Sequence, residues 1–170
     1  INAPLKAKRV AFSPDLGILP ISKEISEICS QSMEKLAANK IQITDKIPNF
    51  TNALDCFHTL RGILMATMMK ELVDKHKIAI PQDILKNIQF GFKLTSDKII
   101  EAERVRWELN INFNEFFKSH DFLICPTTAV APFDSAFPYV KKINGQTCRT
   151  YIDWFAITFA LTLTSCPILS

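Results

Sequence analysis

Apolar positions along this chain repeat with two different periods, and the alternation between them marks out the elements. Val10, Ala11 and Phe12 form a short apolar run behind Arg9 that the Pro and Gly of "SPDLGILP" stop, which predicts a buried strand over Arg9–Phe12. Ser22 then offers an N-cap with Glu24 in the first turn, and Ile25, Ile28, Cys29, Ser32, Met33 and Leu36 share one helical face up to Asn39. "IQIT" at 41–44 alternates as a strand does. Strand, helix and strand in close succession predict an α/β unit with a crossover helix, with the strand order left open.

Residues 52–76 carry a helical pattern that is apolar around much of its circumference, so this helix is expected to be largely buried. "IAIP" breaks it, and Pro81 and Asp83 start a shorter helix to about Phe90. Thr95 or Ser96 caps the next helix, with Asp97 favourable at its positive end. Its stripe is Val105, Leu109, Phe113, Phe116 and Phe117, and it runs down to Ser119. Residues 122–125 read as a buried strand that Pro126 ends, followed by a loop holding Pro132, Pro138 and Gly145. "TYIDWFAITFALTLTS" reads as a last, very apolar helix, and "CPILS" as the opening of a further buried strand.

Composition narrows the class. At 170 residues, 48% hydrophobic and 22% charged, the chain has enough apolar residues for a real core. Its net charge of +3 comes from 20 Lys and Arg interspersed with 17 Asp and Glu, and "KAKR" is its nearest approach to a basic run, so nucleic acid is not an expected partner. The longest apolar stretch, "WFAITFALTLTSCPIL", is shorter than a bilayer span and broken by threonines, and the first residues lack the apolar core of a signal peptide. Five widely spaced cysteines without a CxxC predict reduced thiols, a soluble cytoplasmic protein and no metal. Four glycines against thirteen phenylalanines is a low count for an α/β enzyme, which places glycine where backbone must approach substrate.

Local chemistry is sparse. Ser32-Met33-Glu34-Lys35 has the S-x-x-K spacing of certain serine acyl-transferases, but it sits inside an amphipathic helix without the partner motifs. His58 lies in the apolar helix and reads as a core histidine, while His76 and His120 end helices, where an imidazolium suits the dipole. Asp15 reads as a turn carboxylate, and Glu103, Arg104 and Arg106 as a solvated face. No residue is assigned a catalytic role, and no cofactor is expected.

Taken in order, four stretches resemble the amidase signature family of amidohydrolases: "RVAFSPDLGILPIS", "FHTLRGILMA", "FGFKLTSDKIIEAERVRWELNINFNEFFKSHDFLICPTTAVAPF" and "INGQTCRTYIDWFAITFALTLTSCPILS". The resemblance implies an α/β fold: a helix-rich segment of a mixed β-sheet sandwiched by helices, incomplete at both ends, with residues 1–170 forming part of one larger domain. Family members hydrolyse carboxamide C–N bonds through a Ser-Ser-Lys relay that would lie upstream of "RVAFSPDLG", and the low glycine count fits the loss of that Ser/Gly-rich region. The segment is therefore expected to be inactive alone, to supply scaffold and pocket wall, and to meet a small amide only within a longer parent. By position in the family, Cys125 and Thr127 in the Cys-Pro-Thr-Thr turn, and Trp154, are the candidates for that wall; Trp154 reads as core just as readily.

Two alternatives carry different predictions. A glutamine-amidase subunit of a tRNA-dependent amidotransferase usually bears an Arg-rich stretch where this chain has "ILKNIQFGF". A free-standing interaction module would present a hydrophilic surface, whereas the apolar last helix predicts exposed apolar surface and self-association.

Overall fold

The computed structural model describes residues 9–76 and 80–170. Most of "KAKR" and part of "IAIP" lie outside these residues, as does the side chain of His76. The chain divides into two compact units, one formed by Ile1–Thr51 with Leu109–Ser170 and the other by Asn52–Glu108.

In the first unit, β1 (Arg9–Phe12) is joined through α1 (Lys23–Ala38) to β2 (Gln42–Thr44), and β3 (Phe122–Ile124) lies on the other side of β1. All three strands are parallel in the order β2-β1-β3, with Val10 opposite both Ile43 and Phe122. Parallel neighbours need a crossover, and α1 supplies the one the strand-helix-strand pattern predicts. The central strand is the most buried of the three, through Val10 and Ala11. Asp121 extends the β1–β3 pairing: its N–H donates to Arg9 O at 2.8 Å and its carboxylate accepts the Arg9 N–H at 3.0 Å.

Helix α1 buries none of its residues. Ile25, Cys29, Met33 and Leu36 are half-buried, whereas Ile28 and Ser32 of the expected face are exposed. The last expected helix is shorter than its pattern suggests. A 3₁₀ turn (Asp153–Phe155) leads into α5 (Ala156–Thr162), whose Ala156, Ile157, Phe159 and Ala160 are buried. "CPILS" does not form a strand; it is irregular, with Leu169 97% exposed. A strand requires a partner ladder, and none of the described strands pairs with these residues. The loop before Gly145 holds an element the sequence analysis did not predict, a hairpin of β4 (Lys142–Ile143) and β5 (Gln146–Thr147). Asn144 and Gly145 both have positive φ, 46° and 82°, the turn geometry that favours Asn-Gly.

In the second unit, α2 (Ala53–His76) packs on α3 (Gln82–Phe92) through Ile80, Leu85 and Ile88, with Met65, Met69 and Val73 closing over them. The expectation that α2 is largely buried is half right. Its Cys56, Thr59 and Ala66 are buried, but Leu64, Met68 and Leu72, spaced four apart, are 56%, 68% and 43% exposed. The helix is apolar on two faces, and only one is covered here. Helix α4 (Ser96–Phe116) belongs in part to each unit and buries Val105, Leu109, Phe113 and Phe116 of its expected stripe, with Phe117 just beyond its end 40% exposed. Among the described residues no helix is long and apolar enough to cross a membrane.

Candidate active-site wall

The turn after β3 and the start of α5 are distant in sequence and meet in the first unit. Pro126 follows Cys125 and cannot donate to a ladder, so the strand ends and the chain turns. Thr128 then closes a side-chain turn, its Oγ1 donating to Val130 O at 3.0 Å. The next residue, Ala129, is buried and its carbonyl accepts the Ser22 N–H at 2.7 Å, which fixes this loop to the N-terminus of α1.

Two contacts join the loop after β3 to the segment around Trp154 and α5. Thr158 Oγ1 donates to the carbonyl of Thr127 at 2.9 Å. The Phe133 ring meets Trp154 edge-on, with centroids 5.5 Å apart at 87°. Trp154 is half-buried rather than core, and its Nε1–H donates to Tyr151 O at 3.1 Å, which sets the indole plane. Thr127 is exposed. Cys125 is half-buried; burial, with a smaller effect of the Cys29 charge, pushes its thiol up to about 11. A thiol held neutral at physiological pH acts as a small apolar surface, not as a nucleophile.

Sequence reasoning missed Phe133 and Thr158, which no local spacing links to this site. It also missed the device that shapes the chain ahead of Trp154. Thr150 and Asp153 close a local polar turn: Thr150 Oγ1 donates to Asp153 Oδ1 at 2.7 Å, and the Arg149 and Thr150 N–H groups donate to Oδ2 at 2.7 and 3.0 Å. The T-x-x-D spacing was its signal.

The remaining candidates sit in structural roles. Ser32 Oγ donates to Ile28 O of its own helix at 2.9 Å. His58 is half-buried and edge-on to Phe57. His120 is buried beyond the end of α4 rather than facing solvent; it stacks on Phe116 at 4.4 Å, with Nε2 3.0 Å from Thr44 Oγ1 and Nδ1 3.0 Å from Ser119 Oγ. Asp15 accepts the Gly17 N–H at 2.8 Å, as a turn carboxylate does. Arg104 forms ion pairs with Glu101 and Glu108, and Arg106 with Glu103, along the exposed side of α4. Among the described residues no group of His, Cys, Asp and Glu is placed to hold a metal ion.

The fold is a helix-rich α/β fold similar to that of solved amidase-signature structures. The structure superposes on a crystal structure of an amidase with a TM-score of 0.81 at 12% identity, covering 94% of this chain and 37% of that one. It superposes on a bacterial aryl acylamidase of the amidase signature family with a TM-score of 0.77 at 17% identity, covering 94% of this chain and 36% of that one. The amidase family profile matches residues 2–170, and the chain belongs to that family. An acylamidase from Rhodococcus erythropolis is 23% identical over 155 residues, which is 88% of this chain and 32% of that protein. The chain thus spans about a third of the length of the relatives it matches.

Proposed function

We propose that these 170 residues are the scaffold and one pocket wall of an amidase that hydrolyses a carboxamide C–N bond, with the nucleophile supplied by a longer parent. The observation that carries this reading is the family match over nearly the whole chain together with coverage of only about a third of the acylamidase relative. In this reading both units belong to one larger α/β domain, catalysis follows the Ser-Ser-Lys relay of the family, and the protein is cytoplasmic and uses no cofactor. Thr127, Cys125 and Trp154 face a small amide substrate. Their chemistry suits the role: a neutral thiol and an indole give apolar surface, and an exposed threonine can bond an amide. The chain alone lacks the activated serine, so it does not turn over amides.

The test is intact-mass spectrometry after incubation with a broad fluorophosphonate, which phosphonylates activated serines with loss of fluoride. The 170-residue chain should gain no probe mass, while the longer parent gains one. One probe mass on the chain alone would overturn the reading and make Ser32 the first residue to replace.

A further inference from the structure

The loop that follows β3 is held against the segment around Trp154 by two pairs of aromatic rings. Near its start the Phe133 ring meets the Trp154 indole edge-on at 5.5 Å. Further along, Tyr139 meets Tyr151 edge-on at 6.3 Å. The two pairs are joined through the indole, whose Nε1–H donates to the Tyr151 carbonyl at 3.1 Å. Behind Trp154 the row continues inward: Trp154 is edge-on to Phe155 at 5.1 Å, and Phe155 to the buried Phe159 at 5.7 Å. Phe133 is thus the outer end of a row of four rings rooted in the core, and it is 40% exposed.

Local backbone chemistry holds Phe133 in place. Pro132 precedes it with a fixed φ. Asp134 follows it in a tight turn, its carboxylate accepting the Ala136 N–H at 2.8 Å and its carbonyl the Phe137 N–H at 3.0 Å. A ring fixed in this way loses little freedom when a ligand rests on it, which is the advantage of a preorganised contact. The indole N–H is already committed, so the row offers aromatic surface outward. Such a surface discriminates between rings. A second aromatic ring gains from edge-to-face or offset stacking beyond the area it buries, whereas a saturated ring of the same size gains from the area alone.

We infer that Phe133 is a specificity-determining residue of the wall, its exposed ring selecting amides that carry an aromatic ring over amides that carry a saturated one. This inference rests on the amide-hydrolysis reading proposed above. The experiment uses the longer parent, whose labelling by the fluorophosphonate tests that reading separately. Values of kcat/KM are measured for benzamide against cyclohexanecarboxamide, and for acetanilide against N-cyclohexylacetamide. Within each pair only the saturation of the ring differs. Phe133→Leu stays apolar but loses the ring, and should lower the aromatic-to-saturated ratio roughly fivefold in the pair that sets its ring against position 133. The ratio is taken within one variant, so a loss of folded protein cancels, and the intrinsic reactivities cancel between variants. Phe133→Tyr keeps the ring and should keep the ratio. Phe137→Leu, which removes a more exposed ring of the same loop, should leave both ratios unchanged. Unchanged ratios for Phe133→Leu in both pairs, in a parent that takes the probe and hydrolyses these amides, would overturn the inference and leave the reading standing. A parent that takes no probe would overturn the reading and the inference with it.

Discussion

Gly91 of α3 lies directly against the carbonyl of Gly62 in α2: a methyl group at position 91 would stand 2.0 Å from that oxygen and 2.6 Å from its carbon. Two of the chain's four glycines are therefore spent on one helix crossing. Both atoms met are backbone, so neither can swing aside, and the helices would have to separate. Gly91→Ala gains about 1 kcal/mol of helix propensity but forces an overpacked contact costing about 1–3 kcal/mol or more. Because the contact is far inside van der Waals distance, the net outcome should be destabilising, by about 2 kcal/mol in urea titrations of far-UV circular dichroism. Gly62→Ala is the informative comparison. Its methyl meets the Phe90 ring at 2.8 Å, a side chain that is 43% exposed and can turn away, so its loss should be smaller.

The same shortage of glycine shows in the backbone. Leu16, Lys40, Asn52, Asn144 and Ser165 all have positive φ between 46° and 64°. Asparagine tolerates this region, but lysine and serine place a Cβ against the neighbouring carbonyl. Lys40 follows the C-cap of α1, the position where glycine is most favoured. Lys40→Gly and Ser165→Gly should each stabilise the chain by about 0.5–1 kcal/mol despite removing side-chain atoms. Thermal denaturation would show it as a rise of a few degrees in Tm for each, additive in the double variant because the sites are independent.

How much of this was legible beforehand varied with the range of the interaction. The β1-α1-β2 crossover and the α4 stripe followed from local period, because strand and helix each carry their pattern within a few residues. The hairpin at Asn144-Gly145 and the polar turn at Thr150–Asp153 are equally local, and their dipeptide and T-x-x-D signals were present though unread. The exposed stripe of Leu64, Met68 and Leu72 was a different failure. An apolar pattern states which surface gains from burial, not whether a neighbour covers it, and here one face of α2 is covered and the other is not. The Thr158–Thr127 bond joins residues 31 apart, and no spacing rule reaches that far.

Asp153 is the most constrained charge in the first unit. Its side chain is fully buried, and its two oxygens accept from two backbone N–H groups and one hydroxyl, with the Arg149 guanidinium 3.9 Å away. Asp153→Asn keeps the volume but removes the charge that these donors and the Arg149 guanidinium meet: an NH₂ group at the Oδ2 position would oppose two backbone N–H donors, and at Oδ1 it forces the Thr150 hydroxyl to turn and accept. The expected cost is about 2–3 kcal/mol. Because this turn leads straight into the 3₁₀ helix, the Trp154 indole should lose its fixed setting against Phe133. A shift of tryptophan emission in Asp153→Asn, measured in a Trp107→Phe background and absent from Asp134→Asn, would check this; unchanged emission and stability would show the Asp153 charge to be dispensable.

The cysteines supply a pH-dependent test. Burial is the main cause that raises the Cys56 and Cys125 thiols from 9.0 to about 11, and burial also raises Cys148. Thiolate is the reactive form, so near pH 8 Cys56 and Cys125 should be the slowest of the five to take iodoacetamide. Peptide mapping of a timed alkylation would rank them; rapid labelling of Cys56 would mean that the α2–α4 contact opens readily. The same shifts give a sign for stability. Between about pH 9 and 11 the unfolded chain loses thiol protons that the folded chain retains, so folding must weaken as pH rises through that window. Replacing both residues with alanine removes this term but leaves cavities, whereas Cys→Ser keeps the size and lacks the titration. Stability of the double serine variant should therefore fall less steeply above pH 9 than that of the natural chain, and parallel slopes in the two would count against burial as the cause.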